Sequence, residues 1–220
     1  AKVMENISRD VDIAMSQEFA RFARGLGIDI FEVIRVANTH QRVNLLIPGP
    51  GVGGYCLPNA LYYLLPKAEE MGVDLPLLKT ARRINDSVPA FVAGLALKNL
   101  DVPPKEAELA VLGIAMKDYS NDDRISPARE VISHLQAAGC TVRAFDPAVP
   151  SVYPYKVDSL EEAVKGAHGI LVLARQNGID YHNLALFKES LVGEKPFIVD
   201  TKNIYERSEV ESYGLRLETL

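Results

Sequence analysis

From Leu109 onward, short apolar runs alternate with stretches of helical period, and this alternation most narrows the folds open to the chain. Leu109 to Ile114, Thr141 to Phe145, Gly169 to Leu173 and Phe197 to Asp200 read as strands. Between them, Pro127 to Ala138, a stretch around Ala163 to Lys165, and Tyr181 to Leu191 read as helices. Strands joined through helices pair in parallel, because each return must cross the sheet, and runs apolar on both faces need cover on both sides. The second half is therefore expected to be a doubly wound, Rossmann-like α/β domain.

The first hundred residues follow another pattern. Val3, Ile7, Val11 and Ala14 recur at helical spacing, and Gly25 and Gly27 close a long helix over residues 2 to about 24. A shorter helix is expected from Asp29 to Asn38. A further one should start after Cys56 with Pro58 in its first turn, and a last one should run from Leu75 to Leu100, bent at Pro89. The proline connector Asp101-Val102-Pro103-Pro104 is the expected domain boundary, giving a helical region over 1–102 and the α/β domain over 103–220. The fold class is thus α plus α/β. The net charge is −5 with both signs interspersed, which excludes a nucleic-acid footprint. No run approaches the ~18 to 20 apolar residues of a membrane span, and the start lacks a signal-peptide pattern, so a cytoplasmic location is expected. The two cysteines, Cys56 and Cys140, lack metal-ligand spacing, so no metal site is expected.

The segment Pro48-Gly49-Pro50-Gly51-Val52-Gly53-Gly54-Tyr55-Cys56 cannot form regular structure. Repeated glycine, Gly53 and Gly54 above all, lets backbone approach a ligand closely. Cys56 then opens a helix, where unpaired amides and the positive end of the dipole favour thiolate. Taken alone, the segment reads sooner as a tight turn followed by a small packing cysteine. Lys2 and Asn6 are one helical turn apart and project from one face; a solvated lysine and an exposed asparagine are the plain alternative. Lys117 and Arg124 follow the first strand and precede Ser126-Pro127, a capped helix start, which is a common setting for a phosphate. Arg83 is expected to support its helix through Asp86, and Cys140 to pack in the core.

The stretch Ala37-Asn38-Thr39-His40-Gln41-Arg42-Val43-Asn44-Leu45-Leu46-Ile47-Pro48 through Cys56 resembles the active-site signature of the UDP-glucose and UDP-N-acetylmannosamine 6-dehydrogenase family, and looks most like the second branch. The likeness extends through Arg82-Arg83-Ile84-Asn85-Asp86 and Gly113-Ile114-Ala115-Met116-Lys117 to Asp200-Thr201-Lys202-Asn203. It implies NAD-dependent oxidation of the C6 hydroxyl of a UDP-sugar to a carboxylate. Cys56 would be the nucleophile, passing through a thiohemiacetal and a thioester, and Lys2 and Asn6 would hold the oxyanion and position water. It also implies that Arg42 reaches the sugar site of a neighbouring subunit in a homodimer built through the long helices, and that Lys117, Arg124 and Lys202 bind the substrate. Lys202 stands where the family usually has arginine, keeping charge without the bidentate fork.

No Gly-x-Gly-x-x-Gly lies between a strand and a helix, so the NAD-binding domain of relatives is expected to be absent from this chain. Two departures from the family pattern bear on Cys56. Tyr55 replaces the usual histidine or serine before it, and Ala60 replaces an aspartate four residues after it, leaving no proton acceptor unless Asn59 substitutes. A catalytically silent UDP-sugar-binding or dimerisation module is therefore the alternative. A β-hydroxyacid dehydrogenase is a third reading, disfavoured because that chemistry needs no thiol.

Overall fold

The computed structural model describes residues 1–220. It divides into two compact units, Ala1–Val88 (with the terminal Leu220) and Pro89–Thr219. No helix is long and apolar enough to cross a membrane.

The first unit is helical. α1 (Lys2–Leu26) ends at Gly27, whose left-handed φ of 70° lets its amide and that of Ile28 turn back onto the last carbonyls. α2 (Ile30–Ala37) is capped by Asp29, which accepts from the Phe31 amide at 2.8 Å. α3 (Cys56–Glu70) and α4 (Pro76–Asp86) follow, and α1 packs on all three. Apart from Ile7, the core face of α1 is built of small and polar groups, Ala14, Ala20, Ala23, Asn6, Asp10, Ser16 and Gln17, which let neighbouring helices approach closely. The helix expected over 75–100 is instead two, α4 and α5 (Val88–Asn99), broken at Ser87. Pro89 has no amide hydrogen to donate to the carbonyl of Asn85, so the ladder stops there.

In the second unit, α5 precedes β1 (Glu108–Leu112), α6 (Pro127–Ala137), β2 (Thr141–Phe145), α7 (Leu160–Val164), β3 (Gly169–Val172), α8 (Leu184–Ser190), β4 (Phe197–Asp200), α9 (Arg207–Ser212) and β5 (Arg216–Thr219). All pairings are parallel, in the order β2-β1-β3-β4-β5. Both faces are covered. Ala110, Leu112, Ile170, Val172 and Ile198 share one cluster with Leu160, Val164, Leu184, Phe187 and Val210 from α7, α8 and α9. Their neighbours Leu109, Val111, Leu171 and Val199 point to the opposite face and are equally buried. Full burial of a side chain such as Phe187 contributes about 1.5–3 kcal/mol.

Two differences from the sequence reading have clear causes. The division between units lies at Val88/Pro89, ahead of the proline connector, because residues 89–104 are tied to the sheet. Arg216 on β5 donates to the side chain and carbonyl of Asn99 at 3.0 and 2.6 Å, and Asp101 accepts from the Lys195 amide at 3.2 Å. β5 and α9 escaped the sequence reading because only Leu217 is buried on β5 and only Val210 on α9. An edge strand with one apolar contact shows no periodic signal.

Candidate functional site

Cys56 is the first residue of α3 and its thiol is exposed. Residues 43–55 before it form neither helix nor strand. Gly51 (φ 138°) and Gly54 (φ 83°) take conformations closed to most side chains. The loop is pinned at two points. The Gln17 side chain donates to the Gly49 carbonyl at 2.9 Å, and Asn38 accepts from the Leu45 amide at 2.7 Å while donating to the Leu45 carbonyl at 2.9 Å. Neither anchor stood out in the sequence, because each is a polar residue at a helical position whose partner lies on another segment.

Gly49, Gly51 and Gly54 also have the spacing Gly-x-Gly-x-x-Gly. The loop follows α2 and no strand, so it is not the strand-to-helix turn that cradles a dinucleotide. Tyr55 is exposed, and its hydroxyl lies 3.3 Å from that of Tyr63. That hydrogen bond raises the Tyr63 phenol above its ordinary range. Ala60 is buried on α3 one turn after Cys56, and Asn59 does not take up its place: its amide donates to the Tyr55 carbonyl at 2.7 Å.

Lys2 and Asn6 share one face of α1, which packs on α3. Lys2 is exposed beside Glu5 at 3.4 Å, whereas Asn6 is buried. Asp10 continues the same face and is buried against α4. There Arg82, rather than the expected Arg83, makes the ion pairs: Nη1 lies 2.6 Å from Asp10 Oδ1 and Nε 3.0 Å from Asp86. Asn85 Nδ2 donates to the carbonyl and carboxylate of Asp10, both at 2.8 Å. Burial pushes the Asp10 carboxyl up, against the pull of Arg82 and Asn85. Arg83 donates to Thr80 at 3.3 Å instead. Arg42 is exposed in the turn after α2, its amide donating to His40 Nδ1 at 3.2 Å.

In the second unit, the loops leaving the C-terminal ends of β1, β2, β3 and β4 converge. The strand order reverses between β1 and β3, the position at which open α/β sheets bind ligands. Gly113, at φ 88°, lets the β1 loop pass the backbone of Ala174, which a Cβ would strike. Asp146 is a buried hub accepting from the Ile114 and Ala115 amides at 2.7 and 3.1 Å and from Gln176 at 3.1 Å.

Lys117 and Arg124 are exposed on the β1 loop. Arg124 is held by Asp122 through Nε at 3.0 Å and Nη2 at 2.7 Å, which keeps the Asp122 carboxyl down at about 2. The start of α6 is self-satisfied, since Ser126 accepts from the Ala128 amide and donates to the Ile114 carbonyl, and residue 127 is proline.

Lys202, on the β4 loop, is half-buried and pairs with Asp118 at 2.9 Å. Arg175 on the β3 loop, unremarked in the sequence, donates to the carbonyls of Lys202 and Asn203 at 2.6 and 3.1 Å. It also lines a cavity of ≈ 420 Å³ with Tyr119, Asn177, His182 and Asn203. A second cavity, ≈ 530 Å³, lies along α6, where Arg129 sits 4.9 Å from the Tyr153 ring and Tyr153 stacks on Tyr155. Lys117, Arg124 and Lys202 lie outside both linings.

Residues 1–87 match the central domain of the UDP-glucose/GDP-mannose dehydrogenase family, and residues 110–207 match the UDP binding domain of that family. A UDP-N-acetyl-D-mannosamine dehydrogenase of Pyrococcus horikoshii is 40% identical over 95% of this chain and 49% of its own length. The solved structure of a UDP-D-ManNAc dehydrogenase from the same organism superposes with a TM-score of 0.87 at 39% identity, over 99% of this chain and 50% of that one. An NDP-N-acetyl-D-galactosaminuronic acid dehydrogenase from Methanosarcina mazei gives a TM-score of 0.89 at 28% identity, over 99% of this chain and 49% of that one. The chain spans about half the length of the curated relatives it matches.

Proposed function

Because the chain belongs to the UDP-glucose/GDP-mannose dehydrogenase family, we propose that it forms the sugar-reacting and UDP-binding portion of an NAD-dependent UDP-sugar 6-dehydrogenase acting on UDP-N-acetylmannosamine or a similar substrate. The observation that carries this reading is the exposed thiol of Cys56 at the first position of α3, directly behind a glycine loop. In this reading the sulfur adds to a C6 aldehyde, giving a thiohemiacetal whose oxygen is met by Lys2 and Asn6. At the acid level the sugar is held as a thioester, which water opens to carboxylate and free thiol. Gly53 and Gly54 would admit the sugar, and Lys117, Arg124 and Lys202 would meet the diphosphate.

NAD would accept the hydrides. The residues of this chain do not fit it, since the turn from β1 to α6 lacks the glycine fingerprint and the loop that spells it has no preceding strand. The cofactor is therefore not assigned to them. A second reading, UDP-sugar binding without turnover, is favoured by the buried methyl of Ala60 where an acid is usual.

A calorimetric titration with UDP, UDP-glucose and UDP-N-acetylmannosamine tests the assignment. Saturable binding of UDP and a preference among the sugars are expected; silence with all three would sink it.

We further propose a homodimer built through α1. Met15, Phe19, Phe22 and Leu26 recur at spacings of four, three and four along that helix and are 39, 43, 69 and 59% exposed, an apolar seam suited to a second helix. Sedimentation equilibrium should return the mass of two chains, and Phe22→Lys should shift it toward one. A wild-type mass of one chain at tens of micromolar would rule the dimer out.

A further inference from the structure

We propose that Asp118 is a built-in competitor for the anion at the C-terminal edge of the sheet, holding Lys202 in an internal ion pair that an incoming diphosphate must displace. The inference rests on the assignment of UDP to this edge and adds what tunes its affinity.

Five cations stand on the converging loops, and four are already engaged, Lys156 among them through the Val149 carbonyl. Arg124 is held by Asp122 through two nitrogens. Arg175 spends Nη2 on the carbonyls of Lys202 and Asn203, and its Nε is buried without a partner. Lys202 Nζ lies 2.9 Å from Asp118 Oδ1, with side chains 20 and 29% exposed. Lys117 makes none of these pairs.

The Lys202 pair differs from a surface pair such as Lys2 with Glu5, where both partners are largely in water. Partial exclusion of solvent strengthens it. A phosphate reaching Lys202 therefore gains its attraction only after the carboxylate gives way, and it meets the repulsion of Asp118 as it does so.

Asp118 has a second task that can be separated from the first. The same Oδ1 accepts from the Arg175 amide at 2.9 Å, tying the β1 loop to the β3 loop. Asparagine keeps an oxygen at that place and removes the charge. Asp118→Asn therefore tests competition while leaving the tie, and Asp118→Ser, with a shorter acceptor, serves if the first variant folds poorly by its melting curve.

The measurement is calorimetric affinity for UDP and for inorganic pyrophosphate, at low and moderate salt, on the 220-residue chain. Asp118→Asn should bind both about three- to ten-fold more tightly, the worth of one partly exposed ion pair. The gain should shrink as salt rises. Lys202→Met should weaken binding, and adding Asp118→Asn to it should restore only what the carboxylate's own repulsion of the phosphate had cost, because releasing the pair needs both members.

A folded Asp118→Asn or Asp118→Ser chain that binds UDP no more tightly than wild type, or less tightly, overturns the inference while leaving the UDP assignment standing. A wild-type chain that binds neither ligand overturns the assignment and the inference together.

Discussion

Replacing Arg82 by methionine should lower the stability of the helical unit by about 3–5 kcal/mol, the usual cost of stranding one member of a buried ion pair. Arg82 is 3% exposed, Asp10 4% and Asn85 1%, so water cannot take over the lost contact. The variant leaves the Asp10 carboxylate with Asn85 alone, and Asn85 has no capacity to neutralise it. Urea denaturation at neutral pH measures the loss. Asp10 is already pushed above the ordinary aspartate value of 3.8, with desolvation as the largest cause and Arg82 the largest opposing one. Removing Arg82 pushes it further up. Between 3.8 and that raised value the folded state binds more protons than the unfolded one, so stability rises as pH falls through the window. Acidification should therefore rescue part of the loss in the variant. Replacing Asp10 and Arg82 together by leucine and methionine should recover most of it, because no charge is then left buried. A loss below about 1 kcal/mol for Arg82→Met would show the pair to be solvated.

The second large effect concerns Cys56. On the proposed reading, Cys56→Ser in the NAD-loaded enzyme should cut formation of the sugar acid by at least about a thousand-fold, because a neutral hydroxyl is a far weaker nucleophile toward the aldehyde than a thiolate. UDP affinity should stay within about two-fold, since the diphosphate is assigned to side chains of the other unit. Serine is near-isosteric, and position 56 is exposed at the start of α3, so the fold has little to lose. Acid formation at the wild-type rate would overturn Cys56 as the nucleophile, whereas no acid from the wild-type enzyme would favour the silent-module reading. Simultaneous loss of UDP binding would mean that Cys56 is structural. Cys140 is the internal control: it is buried, and burial raises its thiol, so alkylation should mark Cys56 first.

Much of the architecture was legible because it is written locally. The strands at Thr141–Phe145 and Phe197–Asp200 coincide with their apolar runs, and Gly27 ends α1 where a left-handed residue was needed. The position of Cys56 at a helix start after a glycine loop was equally local. What escaped was non-local or weakly apolar. Arg82 and Arg83 are adjacent and chemically identical, and only the packing of α4 on α1 decides which one faces Asp10. Arg175 follows a buried strand with nothing to mark it, and its role exists only because the β4 loop folds back to offer two carbonyls.

The sequence by itself determined the type of the strongly patterned elements, the parallel sheet and the chemistry within reach of each loop, because periodicity, turn residues and side-chain type are properties of contiguous segments. The tertiary structure alone decided pairing. It brought Asp118 to Lys202 and Asp10 to Arg82, and moved α5 to the sheet. Charge and burial act through distance in space, and beyond the i,i+3 and i,i+4 pairs of a helix no spacing along the chain encodes which cation a given carboxylate will meet.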